Sequence, residues 1–216
     1  LWGRIIHYFD KNFYLCAVGD LTFNTNATLV LLLEQNAEIV KQIRAERQDH
    51  VLFCDCGDTL YGTYPALKTQ GQALIPILNS LGLDAMTAHW EFAYGPEIFK
   101  QRAAELNYPM LAINIHSQAT KEQLFPPFSV KEIGGLRIGI VGIACNIVDK
   151  TMPPSFSEGL EFTLGREELP SIIDILRTQE KVDLIVLISH LGFPQDMQLM
   201  SEVQGIDICL SGHTHN

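Results

Sequence analysis

Positive charge is scarce in this chain: 15 Lys and Arg stand against 25 Asp and Glu, for a formal net charge of -10. That argues against a partner of polymeric nucleic acid, because such affinity comes mainly from neutralising phosphates with cationic side chains. A small phosphorylated substrate is not excluded, since bound metal ions can supply positive charge locally. Cysteine is sparse as well. The five thiols, Cys16, Cys54, Cys56, Cys145 and Cys209, include no C-x-x-C pair, which argues against a disulfide framework or a zinc ribbon and for buried thiols in apolar runs. Long apolar runs are also missing. The longest, Ala27 to Leu33, is far too short to cross a bilayer as a helix. Internal repeats and low-complexity tracts are absent too.

What is present is a core. Hydrophobic residues make up 47% of the 216 positions and charged residues 19%, a balance that suits one folded α/β domain rather than a disordered chain. The first residue is Leu1 rather than Met, and Asn216 directly follows a dense histidine motif. Both ends are therefore expected to be cut.

Short apolar runs predict strands over Val51–Cys54, Met110–Ile113, Leu136–Ile143, Leu184–Ile188 and Ile206–Leu210. Near-continuous apolar strands of this kind are covered on both faces. Helical spacing predicts helices over Ala27–Arg47, Gln72–Leu81, Pro96–Leu106, Arg166–Glu180 and Gln195–Val203. Alternation of the two implies a layered α/β domain. The stretch Val148–Leu164, with Pro153, Pro154 and Gly159, reads as a surface loop. Asp84, Asp183 and Asp207 each precede an apolar run and read as turn residues entering strands rather than as catalysts.

The residues that carry chemistry fall just after predicted strands, the edge at which open α/β sheets bind ligands. Asp58 lies in Asp55-Cys56-Gly57-Asp58-Thr59, His89 in Ala88-His89-Trp90-Glu91-Phe92, and His190 in Ser189-His190-Leu191-Gly192. His213 and His215 close the chain in Gly212-His213-Thr214-His215-Asn216. Singly, each has a bland reading: a Gly-Asp is usually a turn, and a lone histidine after a strand is usually a hydrogen-bonded loop residue. Their recurrence at several strand ends favours a shared site. Imidazole with carboxylate suits Zn, Mn or Fe better than Mg or Ca, and the absence of thiolate ligands argues against a structural zinc. Two metals about 3.5–4 Å apart can share a hydroxide nucleophile and stabilise both attacking and leaving oxygens. Phosphoryl transfer gains most from such positioning.

On these motifs, together with Leu78–Met86, Ala112-Ile113-Asn114-Ile115 and Arg137–Gly142, the chain resembles the calcineurin-like metallophosphoesterases, in particular their 5'-nucleotidase branch. The resemblance implies a four-layer α/β/β/α sandwich, truncated at both ends. Residues 1–216 would be a partial catalytic domain without its first metal motif or a carboxy-terminal substrate domain. It further implies two divalent metal ions, Mn or Zn with Fe as an alternative. Asp58 would bridge both, His190 and His213 would bind one, His215 the other, and His89 would be a further ligand. Glu91 would support the site from behind the ligands, and the substrate would be a small phosphorylated molecule such as a nucleotide. Such proteins are mostly periplasmic, on the cell surface or secreted.

Two departures accompany the resemblance. Where the family has Gly-Asn-His-Glu, this chain has Ala88-His89-Trp90-Glu91. His89 thus falls on a ligand position held by Asn, and Trp90 on a catalytic His that an indole cannot replace as a proton donor. Ala93 likewise stands where an orienting Asp is common. The resulting His-Trp-Glu-Phe is also similar to the thiosulfohydrolase branch, so a sulfur-linked substrate is an alternative and a metal-binding pseudoenzyme a second one. The family's amino-terminal Asp-x-His pair does not occur in this sequence; Asp20-Leu21-Thr22 is a weak stand-in, and the pair is expected upstream of Leu1.

Overall fold

The structure, a computed structural model, describes residues 8–10, 13–18, 38–47 and 50–215. Two four-stranded sheets form its centre. The first has the order β1-β2-β3-β4, with β1 Tyr8–Asp10, β2 Phe13–Val18, β3 Val51–Asp55 and β4 Ala85–Met86. The second has the order β10-β9-β7-β6, built from β6 Phe128–Ile133, β7 Leu136–Ile143, β9 Leu184–Ser189 and β10 Ile208–Ser211. In each sheet three strands run parallel and one edge strand, β1 or β6, runs antiparallel. A two-stranded ribbon pairs β5 Ile115–Ser117 with β8 Leu160–Phe162.

Side-chain alternation along the strands sorts the core into three clusters. On β3, Leu52 and Cys54 face the second sheet while Val51 and Phe53 face helices. On β9, Val186 and Ile188 meet that same inter-sheet layer, and Ile185 and Leu187 turn to the opposite side. The expected four layers follow: helix, sheet, sheet, helix. Residues 38–46 (α1), α3 Ile75–Leu81 and α4 Pro96–Glu105 cover the first sheet. On the second lie α6 Leu169–Asp174, continuing as a π-helical turn through Gln179, and α7 Phe193–Glu202. Short helices α2 Tyr64–Thr69 and α5 Val148–Thr151 sit in connections. No helix among the described residues is long and apolar enough to cross a membrane.

The three strand-entry aspartates share one device. Asp84 donates its N–H to the Phe53 carbonyl (2.7 Å) and accepts the Phe53 N–H at Oδ2 (2.9 Å). Asp183 treats Arg137 the same way (2.7 and 2.7 Å), and Asp207 treats Ile185 so (3.0 and 2.6 Å). Each carboxylate extends a parallel ladder by one bond at its entry, where the backbone donor of the neighbouring strand lacks a partner. These residues are structural.

Two expectations need correction. Met110–Ile113 is extended but is no ladder strand. Only Met110 bridges Met86, after which Leu111 donates to Met86, Ala112 to Pro126 and Ile113 to Gly142. The segment threads from one sheet to the other, and its approach is so close that a Cβ on Gly142 would lie 2.1 Å from the Leu111 oxygen. Val148–Leu164 is likewise no surface loop. It holds α5, a 3-10 turn at Pro154–Phe156 and β8, with Val148, Leu160 and Phe162 buried. The alternation over Leu160–Phe162 is too brief to register as a period. The helical pattern before residue 38 lies outside the described residues.

Candidate metal centre

The parallel strands of both sheets deliver their carboxyl ends to one edge of the sandwich, and the sequence-selected residues sit on the loops just beyond. Asp58, His89, His190 and His213 each offer a ligand atom, and these atoms all lie within 4.8 Å of one another. The three imidazoles form a triangle with ring centroids 4.8–5.2 Å apart. Asp58, His89 and His190 are buried and His213 is half-buried. His215 is exposed and stands outside this group. Asp20 lies outside the described residues.

The loop after β3 turns sharply. Gly57 has φ 97° and Asp58 φ 61°, the second an uncommon conformation for a residue with a side chain and one that recurs where geometry serves function. Asp55 holds the turn by accepting the Gly57 N–H and the Thr59 hydroxyl, both at 2.9 Å. Glu91, fully buried, then accepts four backbone N–H groups: His89 (2.7 Å) and Asp58 (3.3 Å) on Oε2, Thr59 (2.6 Å) and Leu60 (3.1 Å) on Oε1. The Asp58 loop and the His89 loop therefore hang from one carboxylate.

His190 is oriented from behind. Its Nδ1 meets the Cys56 carbonyl. A carbonyl only accepts, so this nitrogen carries the proton and Nε2 is left with a lone pair. Nε2 lies 3.2 Å from Asp58 Oδ2, and His89 Nδ1 lies 3.1 Å from Oδ1. Two lone pairs facing each other require a cation between them, either a proton or a metal. Among the described residues neither ring nitrogen of the buried His89 has a hydrogen-bond partner; Nδ1 only faces Asp58. Orphaned buried nitrogens against a carboxylate are costly without such a cation, so this donor set fits a divalent metal.

Electrostatics agree. Burial pushes the Asp58 carboxyl up, but His190 and His89, which face its two oxygens, outweigh it and hold the group far below the usual carboxylate range. Burial, joined by repulsion from His190 and His89, lowers His213 to about 4. It is neutral near pH 7 and available as a ligand.

Trp90 meets the cluster through its backbone and through its ring, which tilts against the His89 imidazole with centroids 5.6 Å apart. Its N–H donates to Asp58 Oδ1 (2.9 Å), while the indole stacks on Tyr61 with centroids 5.0 Å apart. Tyr94 tilts against the same Tyr61 and donates its hydroxyl to the Leu60 carbonyl (3.0 Å).

No family model matches the chain. A probable 5'-nucleotidase of Treponema pallidum is 31% identical over 180 residues, spanning 82% of this chain and 30% of the relative. The Bos taurus 5'-nucleotidase is 31% identical over 184 residues, spanning 82% of this chain and 31% of the relative. Among solved structures, the sulfate thiohydrolase SoxB of Thermus thermophilus superposes with TM-score 0.79 at 30% identity, covering 87% of this chain and 36% of that one. These matches support the 5'-nucleotidase branch of the metallophosphoesterases for this chain. The chain spans about a third of the length of these relatives. A 5'-nucleotidase precursor from the same bacterium matches with TM-score 0.74 at 25% identity, over 83% of this chain and 35% of that one. The family's two-sheet core thus accounts for the convergence of the four side chains at one edge.

Several contributors were not singled out in the sequence: Asp55, the Cys56 carbonyl, Tyr61 and Asp196. The last carried a signal. Asp196 lies three residues before Leu199 and seven before Val203, on the apolar face of α7, and it is buried. A lone carboxylate on a buried helix face implies a hydrogen-bonded task.

Proposed function

We propose that this chain is the metal-binding part of a hydrolase that cleaves small phosphomonoesters, nucleotides foremost. The observation that carries the reading is the convergence of Asp58, His89, His190 and His213 at the shared carboxyl edge of two sheets, with both His89 nitrogens lacking any other partner among the described residues. Asp58, His89, His190 and His213 would hold one divalent ion. Asp58 and His215 would serve a neighbouring one. Bound divalent ions acidify water and offset the charge of a phosphoryl group. The chain's own contribution is positioning: Glu91 holds two ligand loops in register, Cys56 sets the His190 tautomer, and the low pKa of Asp58 keeps its carboxylate charged. A nucleotide substrate rests on the relatives, whose names are 5'-nucleotidases.

A second reading keeps the metals and changes the substrate to a sulfur-linked sulfonate. It is favoured by the 0.79 superposition on the thiohydrolase and by Trp90, which leaves no imidazole proton donor at its position. Metal analysis of the purified protein, with phosphate and sulfate release assayed in parallel under Mn or Zn, separates the readings. Bound metal with phosphate released from a nucleotide supports the first and sulfate release the second. Bound metal with neither product points to a scaffold, and lack of metal uptake overturns all three. An exported location is part of the same proposal.

A further inference from the structure

Behind the histidines lies a buried carboxylate that touches no proposed ligand. Asp196 sits in the first turn of α7 and is 3% exposed. Its Oδ1 accepts the hydroxyl of Ser189 (2.5 Å), and its Oδ2 accepts the hydroxyl of Ser211. These serines are the last residues of β9 and β10 and stand opposite each other in the parallel register. One residue after Ser189 comes His190, and two after Ser211 comes His213.

The surrounding bonds confine both loops further. Ser189 Oγ accepts the Leu191 N–H (3.2 Å), the Ser189 carbonyl accepts the Gly212 N–H (2.9 Å), and Thr214 Oγ1 accepts the Phe193 N–H (3.1 Å). A parallel ladder alone fixes two strand ends in register but not the direction in which the following loops leave. With one carboxylate oxygen committed to each strand end, Asp196 spans the two exits. Charge-assisted bonds from hydroxyls to a buried carboxylate are short and stiff.

We propose that Asp196 is a positioning residue of the metal centre: a clasp that sets the separation of His190 and His213, whose ring centroids lie 5.2 Å apart. The inference rests on the metal reading given above. Residues that orient ligands from behind typically govern metal affinity by about 10–100-fold. The clasp therefore acts on affinity and coordination geometry, beyond any share it has in holding α7 to the sheet.

The test is Co(II) titration of wild type, Asp196→Ala and Ser211→Ala, followed by calorimetry and by the visible ligand-field spectrum, with thermal unfolding measured on the metal-free proteins. The expected result is affinity weakened about tenfold or more and a shifted spectrum in both variants, including Ser211→Ala, which removes a single hydroxyl and spares the fold. Should Asp196→Ala fail to fold, Ser211→Ala carries the test alone. Wild-type affinity and spectrum in a folded variant overturn the clasp and leave the metal centre standing. A wild-type protein that takes up no Co(II) overturns the metal reading and the clasp with it.

Discussion

The buried carboxylate of Glu91 accepts the backbone N–H of Thr59 at 2.6 Å, so the loop that presents Asp58 is suspended from the loop that presents His89. Two further donors of the first loop and the His89 N–H share that carboxylate. Replacing Glu91 by Gln exchanges one accepting oxygen for an amide that donates, and it leaves buried N–H groups facing another donor. The expected cost is about 2–4 kcal/mol of folding stability, the sum of lost charged hydrogen bonds and unsatisfied donors. Urea unfolding of the metal-free protein measures it. A change under about 0.5 kcal/mol would show that the four bonds contribute little.

Asp58 faces His89 and His190 at once. Asp58→Asn removes the charge that compensates a bound cation, and metal affinity should fall at least about 100-fold, as read by calorimetry with Mn or Zn. Retention of the wild-type metal content at wild-type affinity contradicts the assignment. His89→Asn should behave differently. If His89 occupies the ligand position at which the family has Asn, binding survives in this variant, and complete loss counts against that alignment.

Acid should weaken the metal-free fold partly through His213. Its folded pKa, about 4, lies below the unfolded value near 6.5, so between these limits the unfolded chain takes up a proton that the folded chain refuses. Stability is thus fully present above about pH 6.5 and is lost as pH falls toward 4. His213→Asn should flatten that part of the stability profile. An unchanged slope across this window would exclude His213 as its source.

Gly57→Ala tests the close approach behind His190. A Cβ there meets His190 Nδ1 at 2.9 Å and the Thr87 carbonyl at 3.1 Å, on a backbone with φ 97°. Both strain and clash oppose it, and about 1–3 kcal/mol of stability should be lost. The His190 bond to Cys56 should loosen too, which the ring-proton NMR signals of His190 would register as faster exchange with water.

Much of this arrangement was legible beforehand because its signals are local. Strand ends mark themselves by the transition from apolar runs to Gly, Asp and His, so Asp58, His89, His190 and His213 could be nominated one by one. That they converge depends on two sheets packing face to face, through Leu52, Cys54, Val186 and Ile188, and the alternation in each strand only hints at it. Asp84, Asp183 and Asp207 stand at strand entries as their sequence places them, yet their hydrogen bonds to neighbouring strands depend on register, which no single segment encodes. The Met110–Ile113 crossing failed for the same reason. An apolar run of four looks alike whether it pairs in a ladder or threads between sheets. Asp196 shows the converse, since its place on an apolar helix face was visible while its partners, two serines on different strands, were not.

The cluster draws Asp58 and His89 from the first sheet's loops and His190 and His213 from those of the second. A chain emerging from the ribosome completes the first pair long before β10 exists. Until Gly212 and His213 follow, only part of the donor set is available, and a cation finds no full coordination. Non-local closures of this kind come late because the intervening chain must be ordered first. Capture of metal would thus report that both halves of the sandwich have met, and a chain still lacking β10 would be left empty-handed.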